Sequence, residues 1–85
     1  MAGYRVLIKP SAAKELEAIP QRDRERVIAR IRGLADQPRP PGCEKLTGRE
    51  QYRVRQGDYR MIYEVVDAES LVRIVKIGNR RDVYR

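Results

Sequence analysis

The sequence predicts an α+β domain in which one strand and two helices precede three further strands, in the order β-α-α-β-β-β. A β-branched run ends at Pro10, and apolar residues at helical spacing follow Pro20. Two alternating runs flank Gly57-Asp58. Short turns join the last three strands, so we expect an antiparallel sheet. The helical pair should pack on one face of the sheet and leave a basic face open.

Length and composition point to one domain, residues 1–85, with a polyanionic partner. The chain of 85 residues has a net charge of +7 and a pI near 10.1. The single cysteine, Cys43, excludes an internal disulfide and is interpreted as an incidental thiol. The sequence shows no signal peptide and no membrane-length apolar run, which predicts a cytoplasmic protein. It has no histidine, so we expect neither a metal site nor a cofactor.

The first strand is expected at Tyr4–Lys9, where it ends because Pro10 cannot donate to a sheet ladder. Ser11 is the expected N-cap of a short helix that runs to about Ile19. That helix carries a narrow apolar stripe that includes Leu16.

The second helix is expected to begin at about Gln21, because Pro20 breaks the first. Its apolar stripe consists of Val27, Ile28, Ile31, Leu34 and Ala35. Its arginines at i+4 intervals are Arg22, Arg26 and Arg30, and they fit either a solvated face or contacts to an RNA backbone. The Pro- and Gly-rich segment Asp36–Gly42 is a loop.

Residues Tyr52–Tyr63 are predicted to form a hairpin with a two-residue Gly57-Asp58 loop. The pairs that follow are Gln56 with Tyr59, Arg55 with Arg60, Val54 with Met61, Arg53 with Ile62 and Tyr52 with Tyr63. One face is then apolar, and the other carries Arg53, Arg55 and Arg60. Like charges directly across an antiparallel pair are destabilising. The arrangement therefore predicts an anionic ligand, for which a nucleic-acid backbone is the candidate. The alternative is that these arginines pair with Glu64 or Glu50.

The last strand is predicted at Leu71–Ile77, after a turn at Asp67–Ser70. Residues 71–85 contain five basic side chains, Arg73, Lys76, Arg80, Arg81 and Arg85, against the single acid Asp82. The positive charge of the chain is therefore concentrated at this end. Glu64 is interpreted as neutralising Lys76 or Arg73, with a role as a base as the alternative.

Four segments together resemble the RelE branch of the RelE/ParE toxin superfamily of type II toxin–antitoxin systems. They are Lys45–Gly48 (KLTG), Tyr52–Arg55 (YRVR), Gly57–Tyr63 (GDYRMIY) and Ile77–Tyr84 (IGNRRDVY). The resemblance implies a ribosome-dependent endoribonuclease that cuts messenger RNA in the A site without a metal. In this reaction a 2′-hydroxyl attacks the adjacent phosphate and leaves a 2′,3′-cyclic phosphate. A RelB-like antitoxin is the implied inhibitory partner, in a hetero-oligomer with the toxin.

The resemblance also implies the residues of the site. The catalytic residues carried over from the family are Arg53, Arg55, Arg60, Arg80 and Tyr84, with arginine replacing the family's lysine at the first two positions. The expected RNA-binding residues are Lys45, Arg81 and Arg85, although a solvated loop lysine fits Lys45 equally well. Many relatives carry histidine where this chain has Asn79.

Arginine is suited to stabilising the charge of a phosphorane, since its guanidinium is planar and permanently charged. It is poorly suited to removing a proton, so catalysis is expected to depend on positioning and electrostatics. Arg55 and Arg60 would bind the scissile phosphate, Arg53 an oxygen beside it, and Arg80 would lie near the leaving oxygen. Tyr84 would stack on a base or orient the 2′-hydroxyl, and the alternative is that it closes the core.

Two other functions remain open from the sequence. The first is a ParE-like poison of DNA gyrase, which has the same fold. The second is a catalytically weakened RNA-binding member of the family, because arginine has replaced both lysines.

Overall fold

The computed structural model describes residues 3–46, 48 and 50–79. Its elements in chain order are β1 (Arg5–Ile8), α1 (Pro10–Glu17), α2 (Gln21–Gly33), β2 (Glu44–Lys45), β3 (Gln51–Gln56), β4 (Tyr59–Val66), a 3-10 turn (Asp67–Glu69) and β5 (Leu71–Asn79). The α+β class and the order of the predicted elements are confirmed. In this described part, no helix is long and apolar enough to span a bilayer.

The sheet differs from the prediction in two ways. In the part of the chain that the structure describes, it has five strands in the order β1-β5-β4-β3-β2, because the two residues of β2 pair with β3. It is also not wholly antiparallel, since β1 runs parallel to β5, with Arg5 opposite Leu71. Short turns fix the direction of consecutive strands only. Where β1 joins the sheet is decided by the path of the chain through the two helices.

The first helix begins at Pro10, two residues earlier than an N-cap at Ser11 would place it, so the assignment of Ser11 as its N-cap is wrong. Pro10 occupies the first turn, where its missing N–H costs nothing, and Lys9 is the capping residue without a side-chain bond. The second helix begins at Gln21 directly after Pro20, as predicted. Both helices pack on the same side of the sheet, because their buried residues and those of the strands form one hydrophobic core.

The core contains the apolar face of the hairpin. The most deeply buried large side chains are Tyr63, Leu34, Met61, Leu71, Ile74, Ile77, Val27, Val54 and Val72. Tyr52 and Tyr63 stack with their ring centroids 5.7 Å apart. The helices therefore cover the face with the tyrosines, and neither of them lies over the arginine-bearing face of the sheet.

The hairpin has the predicted register in full, from Gln56 opposite Tyr59 to Tyr52 opposite Tyr63. Gly57 has a φ of +60°, which is what the first central position of a type II′ turn requires. Because the period of a strand is two residues, this register alone determines which side chains share a face.

The last strand contains an irregularity that the alternation of its sequence does not predict. Ile62 pairs with Lys76 while the next residue, Tyr63, pairs with Ile74, so Val75 is an extra residue on β5. The bulge lets Ile74 and Ile77 both enter the core although they are three residues apart.

Among the described residues, no strand lies on the outer side of β5 beyond Ile74, because β1 ends there. The helix α1 covers this exposed edge instead. A Glu15 oxygen accepts a hydrogen bond of 3.0 Å from the backbone N–H of Ile77, and its other oxygen is 3.2 Å from the Lys76 amine. A carboxylate from the helix therefore satisfies an edge N–H that would otherwise be available to another chain.

Candidate nucleic-acid interface

The face of the sheet opposite the helices carries Arg53, Arg55 and Arg60, which together we call the arginine face. Arg55 is directly opposite Arg60 across the hairpin, and Arg53 is two residues before Arg55 on the same strand. Strand neighbours are about 4.8 Å apart, and same-face residues on one strand about 7 Å. The backbone positions of the three arginines are therefore no farther apart than the length of about one nucleotide.

The three arginines differ in exposure. Arg55 is exposed, the Arg53 side chain is 17% exposed, and Arg60 is buried with 5% of its surface accessible. On the other side of Arg60 the paired residue of β5 is Gly78, which places no side chain over it. The arginine face thus offers an accessible cation at Arg55 and a fixed, partly dehydrated one at Arg60, where electrostatic interactions are stronger than in water.

Arg53 pairs on this face with an acidic side chain that sequence reasoning did not identify. Glu44 lies opposite Arg53 in the β2–β3 pairing, and its carboxylate is 3.0 Å from an Nη of Arg53. The sequence-based alternative paired these arginines with Glu64 or Glu50, and neither forms the ion pair seen here. The signal in the sequence was weak, because β2 has only two residues.

Glu64 has the structural role that the sequence favoured. Its carboxylate accepts a hydrogen bond of 2.8 Å from Arg73 and one of 3.4 Å from the Gln51 amide. The Arg73 bond holds the pKa of Glu64 below its usual range. A shallow depression of about 710 Å³ lies over this part of the sheet, lined by Lys9, Gln51, Ile62, Glu64, Arg73, Val75 and Lys76.

The remaining predicted site residues are not brought onto the arginine face by the described structure. Lys45 lies opposite Tyr52 and therefore on the other face, where its amine is 3.5 Å from Glu50. Arg80, Arg81, Tyr84 and Arg85 lie outside the described residues. On α2, Arg22 and Arg26 are exposed and Arg30 is partly buried.

A second polar cluster was also missed by sequence reasoning. Arg39, in the Pro-rich loop, donates two hydrogen bonds of 2.8 and 3.2 Å to the Asp67 carboxylate and one of 2.8 Å to the Tyr52 hydroxyl. Its guanidinium also lies 5.2 Å from the Tyr52 ring centroid. Tyr4 donates a bond of 2.6 Å to the same Asp67. The cluster joins the loop that precedes β2 to the turn before β5 and to the segment before β1.

The bonds from Arg39 and Tyr4 hold the pKa of Asp67 below its usual range. The folded state therefore binds this proton more weakly than the unfolded chain does, for which the ordinary value is about 3.9. The resulting stabilisation is fully present above about pH 4 and is lost as the pH falls through the lower, folded-state pKa.

We expect Asp67→Asn to lower the melting temperature near neutral pH, and the difference from wild type to shrink below about pH 4. Thermal denaturation of both proteins across this range measures it. A difference in melting temperature that stays constant down to pH 2 would show that the ionised Asp67 carboxylate does not provide this stabilisation.

Two helices on one side of a sheet whose other face carries three arginines define a small basic α+β domain with a candidate anion-binding face. A profile of the family described as "ParE toxin of type II toxin-antitoxin system, parDE" matches residues 6–84. The chain is 30% identical over 84 residues to Toxin RelE of Mycobacterium tuberculosis, which covers 96% of this chain and 87% of that protein. The chain therefore belongs to the RelE/ParE family of type II toxin–antitoxin toxins, within its RelE branch.

Solved structures share this fold over nearly the whole chain. The archaeal RelE–RelB complex from Pyrococcus horikoshii has a TM-score of 0.81 at 30% identity, covering 94% of this chain and 98% of that one. The isolated RelE toxin of Escherichia coli has a TM-score of 0.80 at 26% identity, covering 95% and 90%. The RelBE2 complex of M. tuberculosis has a TM-score of 0.82 at 23% identity, covering 92% and 99%, and shows the fold alone.

Proposed function

We propose that this toxin is a ribosome-dependent endoribonuclease that cuts messenger RNA without a metal, using the arginine face. The observation that carries the proposal is the pairing of Arg55 with Arg60 on the sheet face opposite the helices, beside Arg53. Repulsion between paired like charges is offset when a phosphate binds between them. The similarity to RelE toxins supports the same proposed function.

In the proposed reaction a ribose 2′-hydroxyl attacks its own 3′-phosphate, and the 5′-oxygen of the next nucleotide leaves. Arg55 and Arg60 bind the non-bridging oxygens as charge accumulates on the phosphorane. Arg53 binds an oxygen beside them. Two of the proposed catalytic residues lie near the C-terminal end. Arg80 would donate a hydrogen bond to the leaving oxygen, and Tyr84 would stack on a base or orient the 2′-hydroxyl. Lys45, Arg81 and Arg85 are proposed as further contacts to RNA.

The depression seen on this side of the sheet in the described residues is shallow, so we expect the chain alone to hold a single-stranded substrate weakly. A domain of this size has little interior in which to enclose a ligand. We therefore propose that the ribosome presents the message to the arginine face, and that free RNA is cut slowly.

We also propose that a RelB-like antitoxin is the inhibitory partner of this chain. Several structurally similar toxins were solved as complexes with such antitoxins. On the helical side, an apolar groove of about 440 Å³ is lined by Tyr4, Val6, Ile8, Leu16, Ile28, Ile31, Arg32 and Ala35. The neighbouring edge strand β1 leaves Leu7 47% exposed. Exposed apolar surface of this kind favours a protein partner.

The test is cell-free translation with the purified toxin, followed by primer extension on the message. We expect cuts within codons held in the A site, ending in a 2′,3′-cyclic phosphate. Intact message would contradict the proposal.

A second candidate function is a ParE-like gyrase poison, because the matching family profile is described as a ParE toxin. Trapped gyrase–DNA complexes together with intact message would favour it. Tight binding to ribosomes without cleavage would instead indicate the weakened, RNA-binding member of the family.

A further inference from the structure

The arginine face contains three groups that stabilise charge, but a guanidinium is not a proton acceptor near neutral pH. Attack by a 2′-hydroxyl requires that its proton be removed as the new O–P bond forms. The chemistry therefore needs a base that Arg53, Arg55 and Arg60 do not supply.

Glu44 is positioned to be that base. The β2–β3 register puts it on the same face as Arg53 and directly opposite it, with the carboxylate 3.0 Å from the guanidinium. Its side chain is 65% exposed, so a substrate can reach it. A guanidinium has five N–H donors in a fixed fork, and one that binds a carboxylate along one edge can bind a phosphate along another.

This arrangement brings a carboxylate next to the ribose of the nucleotide whose phosphate is bound. The attacking 2′-hydroxyl and the scissile phosphate belong to the same nucleotide, so the group that holds one is close to the other. A general base must come within about 2.6–3.2 Å of the hydroxyl in the bound complex. The flexible side chain of Glu44 on a sheet edge can make that adjustment.

The other carboxylates near the sheet are less suitable. Glu64 lies on the same face, diagonally across from Arg53, but its carboxylate accepts hydrogen bonds from both Arg73 and Gln51. The Arg73 bond also holds the pKa of Glu64 below its usual range. Glu15 is bound to the Ile77 N–H and to Lys76. Glu50 is next to Lys45 and the Tyr52 hydroxyl on the other side of the sheet.

We propose that Glu44 is the general base of the cleavage reaction, held against the scissile nucleotide by Arg53. The inference rests on the ribonuclease function proposed above. The 2′-hydroxyl transfers its proton to a Glu44 carboxylate oxygen as the O2′–P bond forms and the P–O5′ bond breaks. The departing 5′-oxygen takes a proton from water, and Glu44 returns its proton to solvent. No proton is consumed overall, and no oxidant or cofactor takes part.

The test measures single-turnover cleavage on ribosomes programmed with a defined message, at saturating toxin. We expect Glu44→Gln to be slower than wild type by about 10²–10⁴-fold, the usual contribution of a general base. Binding to the programmed ribosome should be unchanged. Glu44→Asp, which retains a carboxylate on a shorter arm, should be intermediate. The control Glu69→Gln removes the same charge from an exposed position in the 3-10 turn and should cleave at the wild-type rate.

A second substrate distinguishes a general-base role of Glu44 from a general-acid role. In a message with sulfur in place of the scissile 5′-oxygen, the leaving group departs without a proton. A defect in Glu44→Gln that persists on this substrate supports the base. A defect that disappears assigns Glu44 to the leaving group and overturns the proposal.

Two other results would also overturn it. Equal cleavage rates for Glu44→Gln and wild type would refute the role of Glu44 as the general base and would leave the proposed nuclease function unaffected. Faster cleavage by the variant would show that Glu44 competes with the phosphate for Arg53. If the wild-type protein leaves the message intact, both the proposed nuclease function and the proposed role of Glu44 are refuted.

Discussion

Replacing Arg55 with alanine is expected to slow message cleavage on the ribosome by about 10²–10³-fold, the usual loss for one transition-state donor. Arg55 is the accessible guanidinium of the arginine face and lies opposite Arg60. Its removal takes away a donor aimed at charge that develops only as the phosphorane forms. The rate constant should therefore fall more than the affinity for the ribosome. Single-turnover cleavage and filter binding measure the two quantities separately.

The matched control is Lys14→Ala, which removes one positive charge from an exposed position on α1. It should leave cleavage unchanged if the local geometry of Arg55, and not the net charge, matters. Arg55→Lys keeps the charge but loses bidentate geometry, and should recover part of the rate. Because Arg55 is exposed and lies opposite the like-charged Arg60, Arg55→Ala should keep the wild-type melting temperature or raise it slightly. An Arg55→Ala protein that stays fully toxic and fully active would show that the site is elsewhere.

Replacing Tyr63 with alanine is expected to cost about 3–5 kcal/mol of unfolding free energy, as for other large aromatic residues in cores. Tyr63 has no accessible surface, and it stacks on Tyr52. Its hydroxyl also donates a bond of 2.7 Å to the backbone oxygen of Pro38. Burial raises the pKa of this phenol, which therefore stays protonated and remains a donor. Urea denaturation should show a lower midpoint for the variant, with an unchanged slope.

Tyr63→Phe isolates the hydroxyl from the ring. It removes the donor to Pro38 and leaves that carbonyl without this bond, at an expected cost of about 1–3 kcal/mol. The control is Tyr59→Phe, which removes a hydroxyl from a half-buried ring for which no hydrogen bond is seen in the described structure. That change should cost less than about 0.5 kcal/mol. If Tyr63→Phe were equally harmless, the loop around Pro38 would not depend on this bond.

The hairpin could be predicted from the sequence because its determinants are local. A Gly-Asp pair between two alternating runs specifies the loop, the loop specifies the register, and the register assigns Tyr52 and Arg53 to opposite faces. The breaks at Pro10 and Pro20 are equally local, since proline restricts its own backbone and that of its neighbours. The resemblance to RelE toxins followed from the same short motifs.

The features that sequence reasoning missed depend on residues far apart in the chain. The parallel pairing of β1 with β5 joins residues about 66 positions apart, and no local signal encodes it. The same holds for Glu15 against the edge at Ile77, and for Arg39 between Asp67 and Tyr52.

What the sequence determined by itself was the fold class, the arginine face and the family, because periodicity, turn chemistry and short motifs are properties of neighbouring residues. What only the tertiary structure decided was which carboxylate meets which cation. It assigned Glu64 to Arg73 and Glu44 to Arg53. Such pairings depend on strand order and on a bulge, which arise only when distant segments pack together.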